Sequence, residues 1–379
     1  MSGIRQLARA MAEWLLDNAF RPMNAVLPRL LRWRVYRNSV LEISYMIHEP
    51  ANQVKELRKL GIKADYLAVG ASPYWNQADY RVNYSESSLR RKAQEFWWFW
   101  TVVARYEIIY LHFMITLTQS GWELPLLKRL GRKIIVRYAG CEIRDREKNM
   151  SLHPQVNICQ ECDYNATICR SPLNQHRRVL MARYGDKFLV STPDMRDFVP
   201  AAEHFPFFAP DTGGRIPRES PPRQGGKFKI VHVTAHPGIE GSRFIEQAVR
   251  NLQSKGIPIE YVFLRNVPHA RVLDELQDAD LSIGKLKMGY YANAQIESMY
   301  LGVPTVTWVR SEFMTDELRN SGFIFSSLDD LESTLEYFLR NPEALAQKRR
   351  LARSSIEKLH DNRVLAGRLQ KMYSELKRV

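Results

Sequence analysis

A chain of 379 residues, 45% hydrophobic and 25% charged, is too long for one small core and fits two domains of a globular enzyme. No run approaches the ~20 apolar residues of a membrane span, and the N-terminus lacks the apolar stretch of a secretory signal, so a cytoplasmic protein is expected. The formal charge of +14 calls for an anionic partner (nucleic acid, an acidic membrane surface or phosphorylated small molecules), and four cysteines exclude a disulfide scaffold.

Residues 1–37 form a segment of their own. Ile4, Leu7, Met11 and Leu15 recur at helical spacing among Arg5, Arg9 and Glu13, and a basic stretch with Trp33 follows Pro28. Two readings stand level: an amphipathic anchor on the anionic inner face of a membrane, or a helix packed on its own domain. Residues 38–210 then alternate strand and helix. Strands are expected at Leu41–Ile47, Ile62–Val69, Ile108–Phe113, Lys133–Tyr138 and Lys187–Ser191, and a helix over Asn52–Lys59. Short apolar runs alternating with helices predict a parallel sheet covered on both faces.

Residues 211–226 are rich in Pro and Gly and read as a linker. A second series occupies 227–361. Strands are expected at Phe228–Val233, Ile259–Leu264, Leu281–Ile283, Thr305–Val309 and Gly322–Ile324. A helix is expected from Ser242 as N-cap, with Phe244, Ala248, Val249 and Leu252 on one face. The last helix, 362–379, is a candidate to pack back on the first domain. Two α/β halves imply a bilobal enzyme with ligands at the carboxyl ends of the strands, in a cleft between lobes.

The stretch Gly284–Pro304 is the most informative. A loop carrying Lys285, Lys287, Gly289, Tyr290 and Tyr291 runs into a helix that begins near Asn293, carries Glu297 one turn in, and stops at Gly302 with Pro304 beyond. A glycine loop ahead of a helix N-terminus offers backbone N–H groups to a phosphate, and a carboxylate on the first turns can accept from both hydroxyls of a ribose. The plainer alternative is a surface turn with a solvent-facing Glu.

The cysteines leave two readings. Cys159 and Cys162 have the spacing of a zinc knuckle, with Cys169 downstream and Cys141 or His153 as fourth ligand. Such a zinc would staple the long, otherwise unstructured connection from Asp145 to Arg170; the alternative is reduced thiols in a loop. Five consecutive aromatics, Phe96 to Trp100, cannot all face one core from a helix, so some should be exposed. Basic clusters at Arg90–Lys92, Arg177–Arg178 and Lys348–Arg350 are scattered and accompany no nucleic-acid module, which makes nucleic acid the least favoured partner. Asp278-Ala279-Asp280 sits just before a strand and reads as a helix end rather than a metal site.

From Ile230 to about Tyr373 the chain resembles the donor domain of retaining family 4 glycosyltransferases of the GT-B fold. The family pattern Glu-Ala-Met-Ala-x-Gly-x-Pro stands here as Glu297-Ser298-Met299-Tyr300-Leu301-Gly302-Val303-Pro304, with Ala279-Asp280-Leu281 and His269–Leu276 ahead of it. The first half resembles the family more loosely, through Asn52-Gln53-Val54, Glu56–Ile62 and Gly140-Cys141-Glu142-Ile143-Arg144. The resemblance implies two Rossmann-like domains and metal-independent transfer of a hexose-type sugar, with retention, from a nucleotide-sugar donor to a saccharide or lipid-linked acceptor. No cofactor is implied beyond the donor itself.

Site roles follow from the same resemblance. Glu297 would bind the donor's ribose, the amides of Gly289, Tyr290, Tyr291 and Ala292 its diphosphate, and Arg265, Asn266 and Val267 would border the base. Gly241 belongs to the donor-domain phosphate loop, and Arg243 and Lys285 would neutralise the departing phosphate. Asn52, His112, Gly140, Glu142 and Arg144 would face the acceptor. The protein would act by positioning and charge stabilisation of an oxocarbenium-like state. The chain departs from the pattern in three places. Gly289 stands where a second Glu is frequent, Glu240 where a Lys precedes the phosphate-loop glycine, and Ala139 where a His precedes Gly140. These departures fit either a divergent branch or a binding protein that has lost turnover. A nucleotide-sugar epimerase is the rival within the same fold.

Overall fold

The structure, a computed structural model, describes residues 35–45, 47–70, 77–217 and 226–378. The amphipathic N-terminal segment lies in 1–34, outside the described residues, as does half of the linker, 218–225.

In chain order the elements begin with β1 (Ser39–Ser44), α1 (His48–Lys59), β2 (Lys63–Val69), β3 (Tyr80–Val82), α2 (Ser88–Thr101), β4 (Ile108–His112), α3 (Glu123–Arg129) and β5 (Lys133–Tyr138). Next come α4 (Arg146–Leu152), α5 (Pro172–Tyr184), β6 (Lys187–Val190) and β7 (Glu203–His204). The second series is β8 (Phe228–Val233), α6 (Pro237–Glu240), α7 (Ser242–Ser254), β9 (Ile259–Leu264), α8 (His269–Gln277), β10 (Leu281–Ile283) and α9 (Asn293–Tyr300). It ends with β11 (Thr305–Thr307), α10 (Asp316–Arg319), β12 (Phe323–Phe325), α11 (Leu331–Arg340), α12 (Pro342–Leu359) and α13 (Asn362–Arg378).

The strands form a seven-stranded sheet in the order β3-β2-β1-β4-β5-β6-β7 and a five-stranded sheet in the order β12-β11-β10-β8-β9. Two compact units contain them. One comprises Met1–Glu142, Ser171–Leu189 and Ala366–Val379; the other comprises Ile143–Arg170 and Val190–Leu365. Residues 143–170 and 190–210, which the sequence reading gives to the first lobe, therefore count with the second unit.

In the first unit β1 lies between β2 and β4, parallel to both, and all six of its residues are buried. A strand covered on both faces reads as a run rather than an alternation, which is why it was legible. The run is interrupted by Glu42, fully buried with its carboxylate 3.0 Å from His112 Nε2. Burial, with the Glu49 carboxylate nearby, drives the Glu42 carboxyl well above its ordinary range. Burial and the Arg137 charge drive His112 well below its own. On α2, Phe99 and Trp100 are buried, while Trp97 is 55% exposed, so the aromatic run does divide between core and surface as one helix requires.

Glu123, at the start of α3, provides a pH test of this unit. Its Oε1 accepts from Thr118 N–H at 3.1 Å and its Oε2 from the Thr118 hydroxyl at 2.5 Å. Burial outweighs these bonds and pushes its pKa up to about 7. A carboxyl whose folded pKa is raised supports the fold below its unfolded pKa, and that support is lost as pH rises through 7. The rise from the ordinary value corresponds to about 3 kcal/mol. Glu123→Gln keeps an acceptor for Thr118, so its stability relative to wild type should increase by up to about 3 kcal/mol between pH 5 and pH 9. Urea midpoints at the two pH values check this; a pH-independent difference would refute it.

In the second unit β8 to β12 pair in parallel, β10 lying between β8 and β11. Ile230, Leu281, Ile283 and Val306 meet Ile245, Ala248, Val249 and Leu252 of α7 and Leu335 of α11 in one core. Two details differ from the sequence reading. Ile245 rather than Phe244 joins the buried stripe of α7, and Ser242 is the first helical residue rather than the cap. Gly241 is the cap, at φ +88°, which frees the Ser242 hydroxyl to bond His232 Nε2 at 2.7 Å.

Candidate functional site

The site is built on the loop from β10 to α9. Gly302 follows α9 at φ +74°, the left-handed stop that the Gly-x-Pro spelling predicts. Glu297 is the fifth residue of α9 and only 5% exposed, with Oε1 2.9 Å from Nε2 of His269, the first residue of α8. Sequence reasoning placed Glu297 and assigned no role to His269. Its position at the start of a helix behind Pro268 was the available signal.

The loop itself is tied down. Gly289 O accepts from Arg310 N–H at 3.1 Å, and Lys285 O accepts from Trp308 N–H at 3.2 Å. The Ala292 amide, an expected phosphate donor, bonds Gln295 Oε1 at 3.0 Å within the helix's own first turn. Tyr291 is buried in a core, its hydroxyl 3.0 Å from His360 Nε2, and Tyr290 stacks on it with ring centroids 4.4 Å apart. Their side chains therefore support the loop from behind.

Gly289 has a physical explanation. Its φ is +84°, and a Cβ there would lie 2.7 Å from Arg310 Cγ. Neither the backbone nor the space admits the glutamate of the family pattern. Arg310 is buried beside it, Nη1 2.8 Å from Asp197 Oδ2 and 2.6 Å from His153 Nε2. Burial opposes ionisation of Asp197, yet bonds from Arg310 and His153 prevail and hold its carboxyl below the usual range.

Both cations expected to face the departing phosphate have carboxylate partners. Lys285 Nζ pairs with Glu240, and Arg243 Nε lies 2.5 Å from Glu161 Oε1. Glu240, which stands at the family's lysine position, thus reverses the charge there and binds a lysine from the neighbouring loop. Lys287, with its side chain 1% exposed, donates to Glu161 Oε2 at 2.9 Å and to Gly238 O at 3.1 Å. Arg265 and Asn266 are exposed after β9, Asn266 in the left-handed region at φ +54°, while Val267 packs against a core.

On the acceptor side, Asn52 is half-buried on α1. His112 lies inside the first unit against Glu42, so its ring is not presented at a surface. Glu142 Oε1 accepts from the amides of Ala139 and Gly140 at 2.6 and 3.0 Å, closing that turn on itself. Arg144 belongs to the second unit, where Nη2 meets Asp194 Oδ2 at 2.7 Å.

The cysteines give no support to a zinc centre. Among the described residues no three His, Cys, Asp or Glu side chains form a group fit to hold a metal. Cys159 Sγ instead accepts from Asn149 Nδ2 at 3.2 Å, and Cys169 Sγ donates to Ala166 O at 3.5 Å. Nor is the connection unstructured. Asp145 caps α4 through Lys148 N at 2.8 Å, and the turns after it dock on the second unit, so no metal staple is needed. Asp278 caps the end of α8 and binds Lys229 Nζ at 3.0 Å, and the buried Asp280 accepts from Lys229 N. Both carboxylates of that Asp-x-Asp are committed to structure.

No protein-family model matches the sequence, and no curated protein matches it. Solved structures do. Sucrose-phosphate synthase from Thermosynechococcus elongatus superposes with a TM-score of 0.59 at 11% identity, over 90% of this chain and 99% of that one. Anabaena HepE, solved in complex with UDP-glucose, gives 0.59 at 11%, over 89% and 99%. A putative UDP-N-acetylglucosamine 2-epimerase from Listeria monocytogenes gives 0.52 at 13%, over 91% and 98%. At these identities the likeness is one of fold, and the fold is two Rossmann-like domains with parallel sheets of seven and five strands, that of GT-B glycosyltransferases.

Proposed function

We propose that the protein is a glycosyltransferase that binds a nucleotide-sugar donor on its second unit. It transfers a hexose-type sugar, with retention and without a catalytic metal, to a saccharide or lipid-linked acceptor bound by the first. The observation that carries this reading is Glu297, a nearly buried carboxylate on the first turns of the helix that follows the β10 loop, oriented by His269. A carboxylate fixed there suits a ribose, and HepE, of the same fold, is a protein solved with UDP-glucose bound. Lys285, Arg243 and Lys287 supply positive charge near the same loop for a departing diphosphate. The amides of Gly289 to Tyr291, the Arg265–Val267 turn and Gly241 complete the donor side, and Asn52, Gly140 and Glu142 the acceptor side. We place the protein in the cytoplasm, peripheral to the inner membrane surface; among the described residues no helix is long and apolar enough to cross a membrane.

The rival reading, a nucleotide-sugar binder without turnover, draws on the pairing of Lys285 with Glu240 and of Arg243 with Glu161. The epimerase reading draws only on a neighbour of the same fold. Release of nucleotide from a panel of UDP-, GDP- and ADP-sugars separates the three. Turnover of one donor to free nucleotide and sugar supports the transferase. Stabilisation without turnover supports the binder, and conversion between two nucleotide-sugars supports the epimerase.

A further inference from the structure

The turn Glu161–Asp163 lies 75 or so residues ahead of the β8 loop in sequence and directly on it in space. Glu161 bridges two cations, with Oε2 2.9 Å from Lys287 Nζ and Oε1 2.5 Å from Arg243 Nε. Asp163 accepts from the backbone N–H groups of Gly238 and Ile239 at 3.3 and 2.9 Å. Tyr164 closes the contact, its hydroxyl 2.6 Å from His236 Nε2. The approach is close: a Cβ on Gly238 would lie 2.2 Å from the carbonyl oxygen of Glu161.

We propose that this acidic turn is a built-in anion that keeps the phosphate-handling cations of the second unit occupied, and that a nucleoside diphosphate binds by displacing it. The inference rests on the nucleotide-sugar reading above and deepens it. A carboxylate bridging two cations through two oxygens makes the contacts of a phosphate oxygen pair. Lys287 dictates the chemistry of whatever replaces Glu161, because its side chain is almost wholly buried. An ammonium so enclosed is stable only against an anion, so a neutral ligand cannot displace the carboxylate and a diphosphate can.

The turn is also suited to release. Asp163 is exposed, Glu161 is only half-buried, and the two carboxylates are held by polar contacts. Just after it, Asn165 and Ala166 sit at φ +47° and +60°. The left-handed region costs a residue such as alanine roughly 1–2 kcal/mol. Charge substitution rather than steric blockage then sets the threshold for binding, and it selects ligands that carry at least two negative charges.

The test is calorimetric titration of the full chain with UDP, GDP, ADP and pyrophosphate. Compared with wild type, the Glu161→Gln/Asp163→Asn double variant should bind the preferred nucleoside diphosphate, and pyrophosphate, at least tenfold more tightly. Gly238→Ala, which pushes the turn off without removing charge, should move affinity the same way. In wild type, the nucleotide should speed amide exchange across 157–168. Nucleotide that binds wild type while the variants bind it equally or more weakly would overturn the inference and leave the nucleotide-sugar reading standing, since it would make the two carboxylates part of the ligand site. Exchange that slows on nucleotide addition would overturn it also, whether or not the variants fold. Absence of binding by wild type and every variant would overturn both.

Discussion

Replacing Glu297 by alanine should lower kcat/KM for the preferred nucleotide-sugar by about a hundredfold or more and leave the fold intact. Hydrogen bonds to a charged group contribute about 1.5–3 kcal/mol each, and a carboxylate that accepts from two ribose hydroxyls loses both on truncation. With 1.36 kcal/mol per factor of ten, that loss spans roughly two to four orders of magnitude. Glu297→Gln retains the shape and one acceptor and should fall by about tenfold. Glu297 is nearly buried, and its hydrogen bond to His269 ties α9 to α8, so a modest loss of stability, about 1 kcal/mol, accompanies the alanine variant. Initial rates, read beside the thermal midpoint and far-UV circular dichroism, separate the two effects. Unchanged rates in both variants would confine Glu297 to holding the two helices together.

The second large effect lies behind the site. Arg349 of α12 is 5% exposed and donates to the carbonyls of Ala279 and Asp280 at 3.0 and 2.8 Å, and to Gly302 O at 3.4 Å. Those carbonyls sit where the chain enters β10 and where it leaves α9, so one guanidinium fixes both ends of the unit that presents the loop. Arg349→Met fills the space with a flexible apolar chain and leaves buried carbonyls without their charged donor. Each such group costs about 1–3 kcal/mol, so a loss of about 3 kcal/mol in the second unit is expected. Urea denaturation followed by hydrogen exchange in β10 and α9 checks it. A loss below 1 kcal/mol would mean that the packing of α12 alone secures the two ends. Because the loop between them carries Lys285 and Gly289, the variant should also bind donor less tightly.

What the sequence by itself determined is local. The buried parallel strands were legible because residues covered on both faces form apolar runs, and Lys133–Tyr138 and Leu281–Ile283 are strands with the expected bounds. The helix carrying Glu297 was legible because its stop is chemical: Gly302 takes the left-handed conformation and Pro304 cannot continue a helix. Glu42 gave no such signal, since it is a single carboxyl inside an apolar run and its partner His112 stands on β4, which only the sheet brings beside β1. Ile245, rather than Phe244, entered the stripe of α7 because it lies three and four residues ahead of Ala248 and Val249 on the face that packs against the sheet.

What only the tertiary structure decided is pairing. Glu240 binding Lys285, 45 residues on, and Glu161 binding Lys287, 126 residues on, leave no periodicity for a sequence to show. Gly289 reads in sequence as a missing carboxylate. In space it is a position that a side chain cannot occupy, because the chain turns left-handed there and Arg310 lies across it. The cysteine spacing suggested a metal for the same reason: spacing records chain separation, while ligation requires convergence, and here capping and docked carboxylates order the connection instead. Local patterns are set by each residue's own backbone and neighbours, whereas charge partners are chosen by the fold that brings distant segments together, and the chemistry of this site rests on those partners.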